Sequence, residues 1–190
     1  VTGVQTCALP IYGIAAEALA WVKAYPHALA SYRDAGQAEN PYIFNPKTPQ
    51  KSFVSPRSLH RASNILTKRH LVTRNMLIAG LTGTIGEAAA RDLIAYVEVA
   101  DSLPTWDEIM ADPKGAKLPT SPAALNIMAY GAMQRIERNN IGKWFEYLKR
   151  TPKELQSVFC LSTSKNDEKK NILLTSGAFV EWMRQNQYLF

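Results

Sequence analysis

Cysteine is scarce in this chain: Cys7 and Cys160 are the two in 190 residues. That excludes a small scaffold held together by a disulfide framework. Long apolar runs are missing too. No stretch approaches the ~18 apolar residues of a membrane-spanning helix, so no membrane partner is expected. Histidine is rare, and His27, His60 and His70 have no Cys or carboxylate neighbours at metal-ligand spacing, so no metal site is expected. There is no G-x-x-x-x-G-K-[ST] phosphate loop and no G-x-S-x-G elbow. "GLTGTIGE" carries three glycines, but no Lys follows and the spacing is not that of a dinucleotide fingerprint; a break between packed helices suits it better. No complete catalytic set is expected. Hairpin signals, useful alternating strands and fixed-period repeats are all lacking, which points to an all-α fold. The last absence is local. No acidic residue occurs from Asn40 to Gly86, while Lys47, Lys51, Arg57, Arg61, Lys68, Arg69 and Arg74 all fall there. Such a stretch is either a solvated basic face or a surface that meets phosphate or nucleic acid.

What is present supports a folded chain. Hydrophobic residues make up 46%, enough for a proper core in one domain or two small ones. The net charge is +6 and does not by itself imply nucleic acid.

The first residues, "VTGVQTCALPIY", have neither helical nor strand period. Val1 to Ile11 match, without a mismatch, one reading frame of a sequencing-library adapter. The leftover T fits Tyr12, whose codons all begin with T. A secretory leader does not fit, because there is no basic n-region and no long apolar h-region. Residues 1–11 are therefore expected to be an artefact that stays outside the packed fold, leaving an open-ended fragment. Cys160 is then the one native cysteine. A single core thiol fits a reducing cytoplasm.

Helical periodicity governs the rest. Ile14, Ala18, Trp21, Val22 and Tyr25 form one stripe, and Pro26 breaks it before a short second piece over His27 to Arg33. "GQAENPYIFNPKTPQKSF" is an irregular connector. Ser55 is an N-cap and Pro56 a first helical residue, with Leu59, Ala62, Ser63, Ile65 and Leu66 on the buried side. "TKRH" puts positive charge at that helix's C-terminal end, where the dipole favours it. Two helices follow, separated near Gly80 to Gly86; the second buries Ile85, Ala89, Leu93, Ile94, Tyr96 and Val97. Thr105 and Glu108 make a capping box for one turn, and Asp107 and Asp112 nearby are caps and solvated charge. Helices are expected over Pro122 to Arg138, Ile141 to Arg150 and Pro152 to Ser162. "SKNDEKKN" reads as a charged loop and "TSGAFVEWMRQNQ" as a terminal helix.

In "FVSPRSLHRAS" a cation, Arg57, occupies the first helical turn, with His60 and Arg61 one turn on. A cation there faces the positive end of the dipole, at a cost of ~0.3–1 kcal/mol when exposed. Either Arg57 snorkels into solvent, or an anion sits there and the free N–H groups and guanidinium share one phosphate.

"FNPKTPQKSFVSPRSLHRASNIL" resembles the lid region of MoxR-like AAA+ ATPases of phage and bacterial type, where a lysine-bearing F-x-P connector leads into a [TS]-P-R-S-[WL] helix start. "EALAWVKAYPHALASY" looks like the segment joining ATPase core to lid. "AGLTGTIGEAAARDLIAYVEVADSLPTWDEIMADP" is similar to the family's A-G-L-V-G, Leu-Pro, Glu-Ile and Asp-Pro pattern. With the adapter artefact at 1–11 set aside, the resemblance implies three divisions: the end of the core-to-lid connection at 12–54, lid helices at 55–101 and a helical C-terminal region at 102–190. It implies an oligomeric, ring-forming ATPase that remodels an unknown protein substrate, with ATP and Mg²⁺ bound by the parent. Arg57 would be the sensor-2 residue near the γ-phosphate and Arg61 its support. Walker A, Walker B, sensor 1 and the arginine finger are absent, so the chain alone should be inactive. The alternative is a non-enzymatic helical module that binds nucleic acid through its basic helix.

Overall fold

A computed structural model of the chain describes residues 13–187, and the segment 1–11 read as adapter lies outside them. The regular elements among the described residues are all helical, and no strand occurs. None of these helices is long and apolar enough to cross a membrane. The chain divides into two compact units, and the division falls between Asp101 and Ser102.

The first unit opens with α1, Ala16–Ala24. Its stripe is buried as the periodicity predicts except at Tyr25, which is half-buried: Ile14, Ala18 and Trp21 are fully enclosed and Val22 nearly so. Pro26 ends α1, but the piece after it is only a 3-10 turn, Pro26–Leu29, shorter than the expected His27 to Arg33. Proline sits comfortably in the first position of such a turn, and Ala30 is already extended. The connector then runs without regular structure to α2, Pro56–Thr67. A 3-10 turn, Arg69–Leu71, precedes α3, Arg74–Ile85, and α4, Glu87–Asp101. Helix α3 packs on both α2 and α4, and α1 packs on α4. Leu59, Ala62, Leu66, Leu81, Ile85 and Leu93 fill the space between them.

The break between α3 and α4 is narrower than the glycine-rich stretch suggests. Helix α3 continues through Gly80 and Gly83, and the turn is made at Gly86 alone, with φ 88° and ψ 159°. A side chain is excluded there twice over. The backbone is left-handed, and a Cβ would lie 2.9 Å from the Ser52 carbonyl oxygen. The close approach is locked by the Ser52 hydroxyl, which donates to the Thr82 carbonyl at 2.9 Å.

The second unit contains α5 (Trp106–Ala111), α6 (Pro122–Arg135), α7 (Ile141–Leu148), α8 (Lys153–Ser164), α9 (Asp167–Leu174) and α10 (Gly177–Gln185). The Thr105–Glu108 capping box opens α5 as the sequence indicates. Helices α6 and α7 stop two or three residues before the expected ends, and α8 extends to Ser164. One expectation is overturned. "SKNDEKKN" is not a loop, because most of it forms α9. The Asn166 side chain accepts from the Lys169 N–H, and Asp167 and Glu168 stand in the first turn, where the dipole favours them. Fully buried Leu173 then anchors the short helix.

Aromatic contacts make the core of this unit. Trp144 meets Trp106 at 5.6 Å and Phe159 at 5.4 Å, and Phe145 meets Phe179 at 6.2 Å. Cys160 is completely buried beside them, and burial pushes its thiol well above its ordinary value. The Asp112–Lys117 connector is pinned through its carbonyls: Arg150 Nη1 donates to Pro113 and Ala116 at 2.8 and 2.9 Å, and the Tyr147 hydroxyl donates to Lys117 at 2.8 Å.

Gly86→Ala is expected to destabilise the chain by about 1–3 kcal/mol, the usual size of a strained backbone position, because the substitution needs both a forbidden φ and a displaced Ser52 carbonyl. Urea unfolding followed by far-UV circular dichroism measures the shift. An unchanged midpoint would show that the corner relaxes freely.

Candidate functional site

The site at the start of α2 is assembled from the chain's most local interactions. Ser55 is extended, with φ −148° and ψ 164°, and its hydroxyl accepts from the Ser58 N–H at 3.1 Å. Ser58 returns the bond, its hydroxyl oxygen accepting from the Ser55 N–H at 2.8 Å. Pro56 has no N–H to satisfy, and the Leu59 N–H donates to the Ser55 carbonyl at 2.8 Å. The backbone N–H of Arg57 is the first-turn donor left without a partner among the described residues.

The opposite face of α2 sets the rotation of this end. Leu59, Ala62, Ser63 and Leu66 are all fully buried. Ser63 is held by a hydrogen bond, its Oγ accepting from the Ala15 N–H at 2.7 Å. With that face inward, Arg57, His60 and Arg61 are exposed on the outer one. Arg57 and Arg61 are four residues apart and therefore neighbours on the helix surface, a like-charge spacing that costs about 0.2–0.5 kcal/mol. Neither guanidinium has an ion pair or hydrogen bond among the described residues. The arrangement fits an anion such as a phosphate, which would meet a free N–H, the positive end of the dipole and one or two guanidinium groups.

The rest of the basic stretch divides into paired and unpaired residues. Arg69, which the sequence assigns to the C-terminal end of α2, serves a carbonyl there and is also a bridge. It contacts Glu17 at 3.2 Å and Asp101 at 2.7 Å, and Nη1 donates to the Leu66 carbonyl at 3.3 Å. Arg74 pairs with Glu98 at 2.7 Å. All three acids, Glu17, Asp101 and Glu98, come from outside the acid-free segment, so the segment alone could not reveal them. Lys47, Lys51 and Lys68 remain without a side-chain partner among the described residues. Asp107 is exposed; Glu108 closes the α5 cap and Asp112 accepts from the Gly115 N–H at 2.9 Å, so these carboxylates do local work. No group of three His, Cys, Asp or Glu among the described residues is placed to hold a metal ion.

Two features escape sequence reading. A groove of about 690 Å³ runs beside the start of α2, lined among others by Tyr32, Arg33, Phe44, Phe53, Ser55 and Pro56. It joins parts of the chain that look like plain connector, and Phe44 and Phe53 in "YIFNPKTPQKSF" were its one visible sign. The other is a cluster of rings: Tyr42 lies 5.7 Å from Trp21, 6.2 Å from Tyr25 and 5.3 Å from His27, while Tyr25 meets Tyr96 at 6.4 Å. The Tyr42 hydroxyl donates to Asp92 Oδ2 at 2.5 Å. Burial first, then the neighbouring Asp92 carboxylate, pushes this phenol from 10.0 to about 12.

Comparison with protein-family models, curated proteins and solved structures found no match to the chain. The function therefore has to be argued from the geometry of the site.

The raised phenols give an alkaline test of the fold. Tyr147, also buried, is pushed to about 12 despite the nearby Arg150. The folded chain holds these protons more tightly than the unfolded chain, so their contribution is complete below pH 10.0 and is lost as pH rises towards about 12. Denaturant midpoints are expected to fall across that window, with tyrosinate absorbance lagging behind that of free tyrosine. In Tyr42→Phe the fall should be shallower; an identical fall would exclude Tyr42 as a cause.

Proposed function

We propose that this chain is the lid and helical tail of a MoxR-like AAA+ ATPase, with Arg57 as the sensor-2 residue. The observation that carries the reading is the unpartnered Arg57, whose guanidinium and N–H stand together at the start of a capped, well-anchored helix. Exposed cations at a helix N-terminus are unfavourable without an anion, and a γ-phosphate is the anion that this family resemblance supplies. Spread charge on a transferring phosphoryl group is stabilised by such a preorganised cation. Arg61, one turn along the same face, adds charge to the same region.

The residues present fit a phosphate but not the metal that accompanies it. No metal-holding cluster of acids or histidines occurs among the described residues, so Mg²⁺ would be held by the P-loop core of the parent ATPase. ATP hydrolysis, ring assembly and the remodelled protein substrate belong to that parent. The buried, lone Cys160 among described cysteines suits its placement in a reducing cytoplasm.

The test joins the chain to its P-loop core, recovered from the adjoining upstream DNA. Arg57→Ala is expected to lower kcat for ATP by about 10²–10³-fold, the usual loss on removing one transition-state contact, with the helical signal unchanged. The chain alone should show no turnover. Wild-type turnover in Arg57→Ala, or upstream DNA without a Walker A sequence, would reject the assignment.

A further inference from the structure

We infer that the groove beside α2 binds single-stranded nucleic acid, with a base stacked on Phe44. Phe44 is 43% exposed, unusual for a phenylalanine, and it lies in the lining of the 690 Å³ groove. Phe53 backs it at 5.2 Å between ring centroids, so the exposed ring rests on a second ring. A supported aromatic face of this kind stacks any base, since every base has a π-face.

The charge around the platform matches a polyanion. Arg33 lines the groove, and its guanidinium has no partner among the described residues. Asp34 is the acid of that lining; its Oδ2 accepts from the Ser31 N–H at 2.9 Å, and its charge offsets that of Arg33. From the lining residue Pro46 the chain passes to Lys47, also unpartnered, and no acid follows until Glu87. Arg33 in the lining and Lys47 beside it stand against Asp34, which leaves a positive charge over at the platform. A charge surplus beside an exposed aromatic platform favours nucleic acid over an apolar peptide, which would need the rings but not the cations.

Two hydroxyls of the lining already hold backbone donors. Ser31 Oγ accepts from the Arg33 N–H at 3.2 Å, and Ser55 Oγ accepts from the Ser58 N–H at 3.1 Å. Stacking on a ring and contacts to phosphate are common to both kinds of strand, so the groove should take DNA and RNA alike. The inference does not depend on the ATPase reading, and it assigns no role to Arg57.

Fluorescence anisotropy of the full chain with labelled oligo-dT and oligo-rU tests it. Both strands should bind at low salt, with affinity that falls as salt rises. Phe44→Ala should weaken binding by about 5- to 100-fold, the range for loss of one stacked base. Phe44→Leu, which keeps apolar bulk and protects against a folding failure, should weaken it nearly as much, while Phe44→Trp should retain it. Arg33→Gln should flatten the salt dependence, and Lys165→Gln in the other unit should change nothing. Absence of binding at low salt, equal affinity in Phe44→Leu, or preference for an acidic, aromatic peptide would overturn the inference.

Discussion

The position of every group at the candidate site follows from how α2 is fixed on its inner side. Leu59, Ala62 and Leu66 leave water completely, and each large apolar side chain so enclosed contributes about 1.5–3 kcal/mol. Apolar packing alone tolerates small rotations of a helix. The hydrogen bond from the Ala15 N–H to Ser63 Oγ does not, because a rotation would leave a buried backbone donor unsatisfied. One polar bond within an apolar face thus sets the angle of the helix. That angle directs Arg57 and Arg61 outward.

The same distinction separates the two ways in which the chain uses its cations. Arg69 is tied to Glu17 in α1's first turn and to Asp101 at the end of α4, and so gathers the two ends of the first unit. In the second unit, Arg150 and Lys143 serve backbone carbonyls rather than carboxylates: Arg150 holds the irregular connector after α5, and Lys143 takes the Met110 carbonyl at the end of α5 itself. These cations have structural employment. Arg57, Arg61 and Arg33 have none among the described residues, and the contrast is more informative than the total charge.

Legibility in the sequence followed the range of the interactions. The start of α2 was readable because Ser55, Pro56 and Ser58 act on one another within four residues. The buried stripes were readable because helical spacing reports them directly. Arg69 was not, since its carboxylates stand far away in the chain and only the folded unit brings them near. Helix α9 was missed for another reason. Its charges look like a loop, while its cap and its one buried leucine are quiet signals. The all-α class was legible throughout. The groove was not, because its walls come from connectors that carry no period.

Two helices in this chain close their first turn by the same reciprocal bond but with different chemistry. At α5 the returning group is the carboxylate of Glu108, whose acidity is strengthened by its bonds to Thr105. That helix brings its own anion and its electrostatic well is already filled. At α2 the returning group is the hydroxyl of Ser58, which satisfies the backbone and brings no charge. The well at α2 therefore stays open, and an incoming phosphate would displace nothing. A glutamate in place of Ser58 could return the same backbone bond and fill the well itself, at the cost of the bond that the Ser58 hydroxyl donates to the Phe53 carbonyl at 2.8 Å.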